Sequence, residues 1–169
     1  IKSMANRSIF NRRYTSYTPG STQVWLVNGQ GVTTSPTTTL DFTAGETLIQ
    51  GEVVYVSGAV VLGANAASGA APELYNPIGI TNAAAAATET VGVILDSNAT
   101  ISSSNLIHES AMTPGQYYYL AREKGKLVSA DAPSGITMSG GYSAVVPLGL
   151  ALSTSELQVE IQGPIILVD

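Results

Sequence analysis

The chain reads as an all-β protein, a small barrel or sandwich built from two diverged β units behind an extended N-terminal arm. Three observations predict this. Tight-turn pairs, Gln50-Gly51 and Pro114-Gly115, stand directly before β-branched or aromatic runs, Glu52–Val56 and Gln116–Leu120. Each run is answered downstream by a matching strand opening, Pro77-Ile78-Gly79-Ile80 for the first and Pro147-Leu148-Gly149-Leu150 for the second. Many short strands bounded by such turns indicate a barrel or sandwich rather than a βαβ fold, and two copies are too few for a solenoid.

Taken in order, Ile1–Gly20 shows scattered apolar groups without a sustained period, closing on the turn pair Pro19-Gly20. It reads as an arm, extended or ordered only against a partner. Ser21–Asn28 predicts a strand with Val24 and Leu26 on one face and Trp25 and Val27 on the other. Asn28-Gly29 is a strong turn pair because both residues tolerate positive φ. Thr33–Thr39 is extended, an edge strand or a linker, and Leu40–Phe42 closes a short strand. In the first unit, strands are predicted at Glu52–Val56, Ala59–Leu62, Ile78–Thr81 and Glu89–Leu95, with a loop over Asn65–Glu73. Ala83–Ala87 has helical propensity but is too short to stand alone, so a one-turn helix or a packed loop is expected. Ala99–Ile107 reads as a strand that starts near Thr100-Ile101 and resumes at Leu106-Ile107. In the second unit, strands are expected at Gln116–Arg122, Lys126–Ser129, Ala144–Leu152, Leu157–Gln162 and Ile165–Val168, with a loop over Ala130–Gly141. The expected division is 1–42 for the arm and leading strand, 43–107 for the first β unit and 108–169 for the second. In the alternative division, 43–169 forms one compact domain.

Composition narrows the function. Of 169 residues, 44% are hydrophobic but only 11% are charged, less than half the roughly 25% usual for a soluble domain. Such a surface repels neighbours weakly and suits a protein packed against others. The net charge of -5 argues against direct nucleic-acid binding. Charge is also uneven: Lys2, Arg7, Arg12 and Arg13 supply all of it in the first thirteen residues, and the rest of the chain is acidic. A basic arm on an acidic body can dock on an acidic surface, including another copy of that body. The plainer reading is a solvated terminus. With no cysteine, disulfides, thiolate metal sites and cysteine nucleophiles are excluded. There is no signal-peptide apolar region at the start and no apolar run of about 18 residues, so no membrane contact is expected.

No constellation of reactive groups emerges. His108 is the sole imidazole, near Ser102, Ser103, Ser104, Glu109 and Ser110 but without a nucleophile elbow, so a structural or surface role is expected. The acids Asp41, Glu46, Glu52, Glu73, Glu89 and Asp96 are isolated in sequence, and Asp96-Ser97-Asn98 is more simply a turn than a calcium loop. No catalytic residue, metal site or cofactor is therefore assigned. Tyr117, Tyr118 and Tyr119 cannot all face the core, because strand side chains alternate. With Trp25 they are candidates for oligomer or glycan contact. Arg7, Arg12, Arg13, Tyr14 and Tyr17 are the candidate contacts of the arm with a partner surface or another subunit. Gly51, Gly79, Gly115 and Gly149 are the candidate structural glycines.

These residues carry a resemblance. Ala44-Gly45-Glu46, Gln50-Gly51-Glu52-Val53-Val54-Tyr55 and Ile78-Gly79-Ile80 together resemble the small β modules of tailed-bacteriophage virion proteins, among them head decoration (cement) and head-fibre proteins. Met112–Leu120, Pro147–Ser153 and Leu157-Gln158-Val159 are similar to segments of phage tail-fibre and decoration proteins. By this resemblance Gly51 and Gly115 match the turn glycines, Tyr55 and Tyr119 the strand aromatics, and Gly79 and Gly149 the glycine of the returning strand. The N-terminal segment departs from the compact module. The resemblance implies a non-enzymatic virion protein and a homotrimer that binds the major capsid protein or other virion proteins at the capsid surface. The alternative is a tail-fibre or receptor-binding component contacting host glycan. A polysaccharide-acting enzyme is the remotest reading, since it needs a carboxylate pair.

Overall fold

The computed structural model describes residues 39–67, 69–131 and 141–167 in full, and the backbone of 23–27 and 30–34. The arm candidates Arg7, Arg12, Arg13, Tyr14 and Tyr17 lie outside the described residues, as do the turn pairs Pro19-Gly20 and Asn28-Gly29. The chain divides into two compact units, Ile1–Pro36 and Thr37–Asp169. In the first, β1 (Gln23–Val27) pairs antiparallel with β2 (Gln30–Thr34), Trp25 opposite Val32 and Val27 opposite Gln30. The Trp25 side chain is not among those described.

The second unit begins with a closed barrel. Its strands are β3 (Thr39–Ala44), β4 (Val53–Ser57), β5 (Val60–Gly63), β6 (Gly79–Thr81) and β7 (Thr90–Ile94), joined in the order β3-β5-β4-β6-β7. The β3–β5 pairing that closes it is parallel, and the others are antiparallel. Val53-Val54-Tyr55 form a strand because β-branched and aromatic side chains suit a pleated, packed surface. Alternation then sorts them. Val54 joins Ala44, Leu48, Val61, Val91 and Val93 in one core cluster, while Val53 and Tyr55 belong to another, with Ile80 and Ile94.

A second sheet follows, with strands β8 (Asn98–Thr100), β9 (Tyr117–Leu120), β10 (Leu127–Ser129), β12 (Pro147–Ala151) and β13 (Glu156–Val159) in the order β10-β9-β12-β13-β8. A two-stranded sheet pairs β11 (Ala144–Val145) with β14 (Ile165–Ile166). The expected strand over Ala144–Leu152 is thus split at the fully buried Val146. Read from the hairpin, the barrel runs β5-β4-β6-β7-β3, the same sequence of connections as the second sheet. Even the parallel closure has a counterpart: Leu106 bridges Leu127 in parallel, and the Ile107 N–H donates to the Leu127 carbonyl at 3.0 Å. The large core cluster draws from both sheets, combining Val53, Tyr55, Ile80 and Ile94 with Tyr118, Leu120, Leu127, Leu148 and Leu157.

Of the two outcomes expected for Ala83–Ala87, the packed loop is the one that forms: Ala85 and Leu48 exchange backbone hydrogen bonds at 2.9 and 3.0 Å. Ala99–Ile107 is not one strand. Its centre winds into a short 3-10 turn, Ser103–Asn105, because the Asn105 side chain accepts from the Ser102 N–H at 3.0 Å and stops the ladder. A second 3-10 turn, Pro72–Tyr75, lies at the end of the expected Asn65–Glu73 loop. β3 crosses the expected boundary at 42/43, and β8 pairs into the second sheet although it precedes residue 108.

Candidate functional site

The triple tyrosine of β9 resolves as alternation demands. Tyr118 is fully buried. Its hydroxyl donates to Glu109 Oε2 at 2.6 Å and accepts the Thr113 N–H at 3.0 Å, while Ser129 Oγ donates to Glu109 Oε1. Burial, then the Glu109 carboxylate, push the Tyr118 phenol up to about 12. Tyr118 is therefore a core residue and is withdrawn from the candidate surface contacts, because its ring is enclosed and its hydroxyl is spent on internal partners.

Tyr117 and Tyr119 lie on the opposite face of the strand, where Tyr119 still packs against the large core cluster. Tyr117 is 42% exposed, and Tyr119 is half-buried. Tyr117 stands opposite Leu150, which stands opposite Gln158. Tyr119 stands between Val128 and Pro147. Beside them Gln116 Nε2 donates to Asp131 Oδ2 at 2.9 Å, and Gln116, Tyr117, Tyr119, Ala130 and Asp131 line an open hollow. Aromatic faces beside an amide and a carboxylate can stack and hydrogen-bond a neutral partner.

The four glycines occupy two kinds of position. Gly51 and Gly115 hold φ 81° and 83° at the turns entering β4 and β9. Gly79 and Gly149 are needed for close approach: a Cβ on Gly79 would strike the Ile94 carbonyl, and one on Gly149 the Gln158 carbonyl.

Two acids isolated in sequence do meet. Glu46 Oε1 accepts the Gly63 N–H at 2.8 Å, and its Oε2 pairs with Lys124. Glu52 Oε2 accepts the Ile49 N–H at 3.0 Å. Burial raises the Glu52 carboxyl above its ordinary range; the Ile49 N–H opposes this, the Glu46 charge adds to it, and Lys124 opposes it. The group fastens the β9–β10 turn to the barrel, where Gly125 also accepts the Val53 N–H and donates to the Ala64 carbonyl, at 2.9 and 2.7 Å. Sequence spacing gave no signal for it, since Lys124 lies 78 residues from Glu46. The Glu109–Tyr118–Ser129 group was equally hidden. His108 is exposed at φ 67°. Among the described residues no three His, Cys, Asp or Glu side chains group to hold a metal ion, and no helix is long and apolar enough to cross a membrane.

The fold and its surface thus define an all-β protein with a closed five-stranded barrel, two further sheets in the same unit, and an exposed Tyr117 beside an open hollow. Compared with known proteins, the chain matches no family model, and no curated protein is similar to it in sequence.

Proposed function

We propose that this chain is a non-enzymatic structural protein of a bacteriophage virion, decorating or stabilising the capsid surface as a homo-oligomer, with its basic N-terminal arm as the attachment segment. The observation that carries the reading is how the body spends its groups. Its closest ion pair, Glu46 with Lys124, ties the β9–β10 turn to the barrel, while Leu40, Ile49, Val56, Tyr117, Leu152, Ile165 and Ile166 remain exposed. A weakly charged β body with apolar groups on its surface suits permanent packing among neighbours. Modest contacts gain strength when linked copies engage a lattice of identical sites, which favours a trimer.

The barrel and the second sheet are two diverged copies of one unit. Support comes from their identical strand order and from matched turn bonds: Gly51 N–H to the Thr81 carbonyl at 2.9 Å, and Gly115 N–H to the Ala151 carbonyl at 2.8 Å. Leu48 N–H to Ala85 and Met112 N–H to Thr154, at 2.9 and 3.0 Å, form a second matched pair.

Copy number in purified particles tests the virion reading. Quantitative mass spectrometry is expected to find the protein in shell-like abundance, with matching density on the head; a few copies at the distal tail would overturn capsid decoration. The hollow beside Tyr117 and Tyr119 favours a second reading, a tail-fibre component that contacts host glycan. Purified protein would then adsorb to host cells and block infection, and failure to do either counts against it.

A further inference from the structure

The hollow beside β9 combines a fixed aromatic wall with a polar pair. Tyr119 is half-buried and packs against the large core cluster, so its ring is held in place. Tyr117, on the same strand face, is 42% exposed. Gln116, Ala130 and Asp131 complete the lining of a space of about 240 Å³. Gln116 Nε2 donates to Asp131 Oδ2 at 2.9 Å, which orders both side chains before anything binds. The bond leaves Gln116 its acceptor oxygen and a second N–H, and leaves Asp131 its other oxygen. No lysine, arginine or histidine is among these five residues.

We propose that this hollow binds a single neutral pyranose of a host glycan. The proposal rests on the glycan-contact reading and names the class of sugar. The space falls below the roughly 300–1,000 Å³ of pockets that enclose drug-sized ligands, so it takes one ring rather than a length of polymer. A pyranose has an apolar C–H face that suits a tyrosine ring, and hydroxyls that both donate and accept. The Gln116–Asp131 pair answers them with two oxygens and one N–H, so neighbouring hydroxyls of one ring can be met together. Charge selects against acidic sugars. A carboxylate, sulfate or phosphate would face Asp131 with no cation in the lining, on a chain of net charge -5. A quaternary ammonium would suit the rings and the carboxylate but would leave the remaining Gln116 N–H without an acceptor.

Saturation-transfer NMR and calorimetry of the full chain with methyl glucopyranoside, methyl galactopyranoside and methyl mannopyranoside are the test. At least one is expected to bind with a Kd on the order of millimolar, the scale of one small contact, and with saturation strongest on its ring C–H protons. Tyr117→Ala and Gln116→Leu are expected to weaken binding about tenfold. Asp131→Ala, at an exposed position, gives the same readout should either variant fail to fold. Ile165→Ala, exposed on β14, should leave binding unchanged. The proposal is overturned if none of the three glycosides binds, if all three hollow variants bind as the wild type does, or if N-acetylneuraminic acid or choline binds in their place. Adsorption to host cells is read separately. Adsorption that survives Tyr117→Ala and Gln116→Leu overturns this site and leaves the glycan-contact reading standing. Glycoside binding without adsorption upholds the site and removes that reading.

Discussion

Gly51 and Gly115 share a backbone conformation but not surroundings, and this separates two costs. A Cβ on Gly51 would lie 2.8 Å from both Asn105 Oδ1 and the Thr100 carbonyl, whereas one on Gly115 meets nothing within 4 Å. Gly115→Ala should cost about 1–2 kcal/mol, the ordinary penalty of a left-handed L-residue. Gly51→Ala should cost clearly more, and urea unfolding of the pair measures the difference. Tyr118 gives a second test at this scale. Tyr118→Phe leaves Glu109 and the Thr113 N–H short of a partner, an expected loss of about 1–3 kcal/mol. The folded phenol titrates at about 12 against 10 when unexposed to the fold. Its contribution is therefore complete below pH 10 and lost as pH rises through about 12. Stability of the wild type should fall across that window, and that of Tyr118→Phe should fall less.

The β9–β10 turn illustrates how elements are held together. Glu52 sits where this turn meets the barrel, and its folded carboxyl is raised chiefly by burial. A raised acid keeps its proton in the native state to higher pH, so its contribution is present below the ordinary value of 4.5 and is lost as pH climbs through the native one. Glu52→Gln retains an acceptor for the Ile49 N–H without the charge. It should unfold at higher denaturant than the wild type at pH 7, with the gap closing toward pH 4. Much at this scale was legible beforehand. The turn glycines announced β4 and β9, and strict alternation in Leu157-Gln158-Val159 announced β13, whose Leu157 and Val159 are buried while Gln158 is exposed. An interruption before Leu106-Ile107 was legible, but the 3-10 turn that makes it was not, because it depends on where Asn105 finds its partners.

For the molecule as a whole, the unit Thr37–Asp169 has a core cluster that draws from both sheets. It should unfold in a single transition, and deletion of 1–36 should leave its melting curve close to that of the full chain. A fragment holding the barrel alone, residues 39–95, should lose cooperative unfolding, since it exposes the large apolar groups Val53, Tyr55, Ile80 and Ile94. Calorimetry of the two truncations distinguishes the outcomes. A fragment that melts sharply would show that the barrel is independent.

The order of residues along the chain was enough to settle the all-β class, the turns at Gly51 and Gly115 and which side chains share a strand face, because φ preference and two-residue alternation are local properties. Closure of the barrel, the burial of Tyr118 rather than Tyr117, and the meeting of Glu46, Glu52 and Lys124 were decided by tertiary structure. Each depends on which face of a strand a distant segment covers, and a period of two marks opposite faces without saying which one is buried.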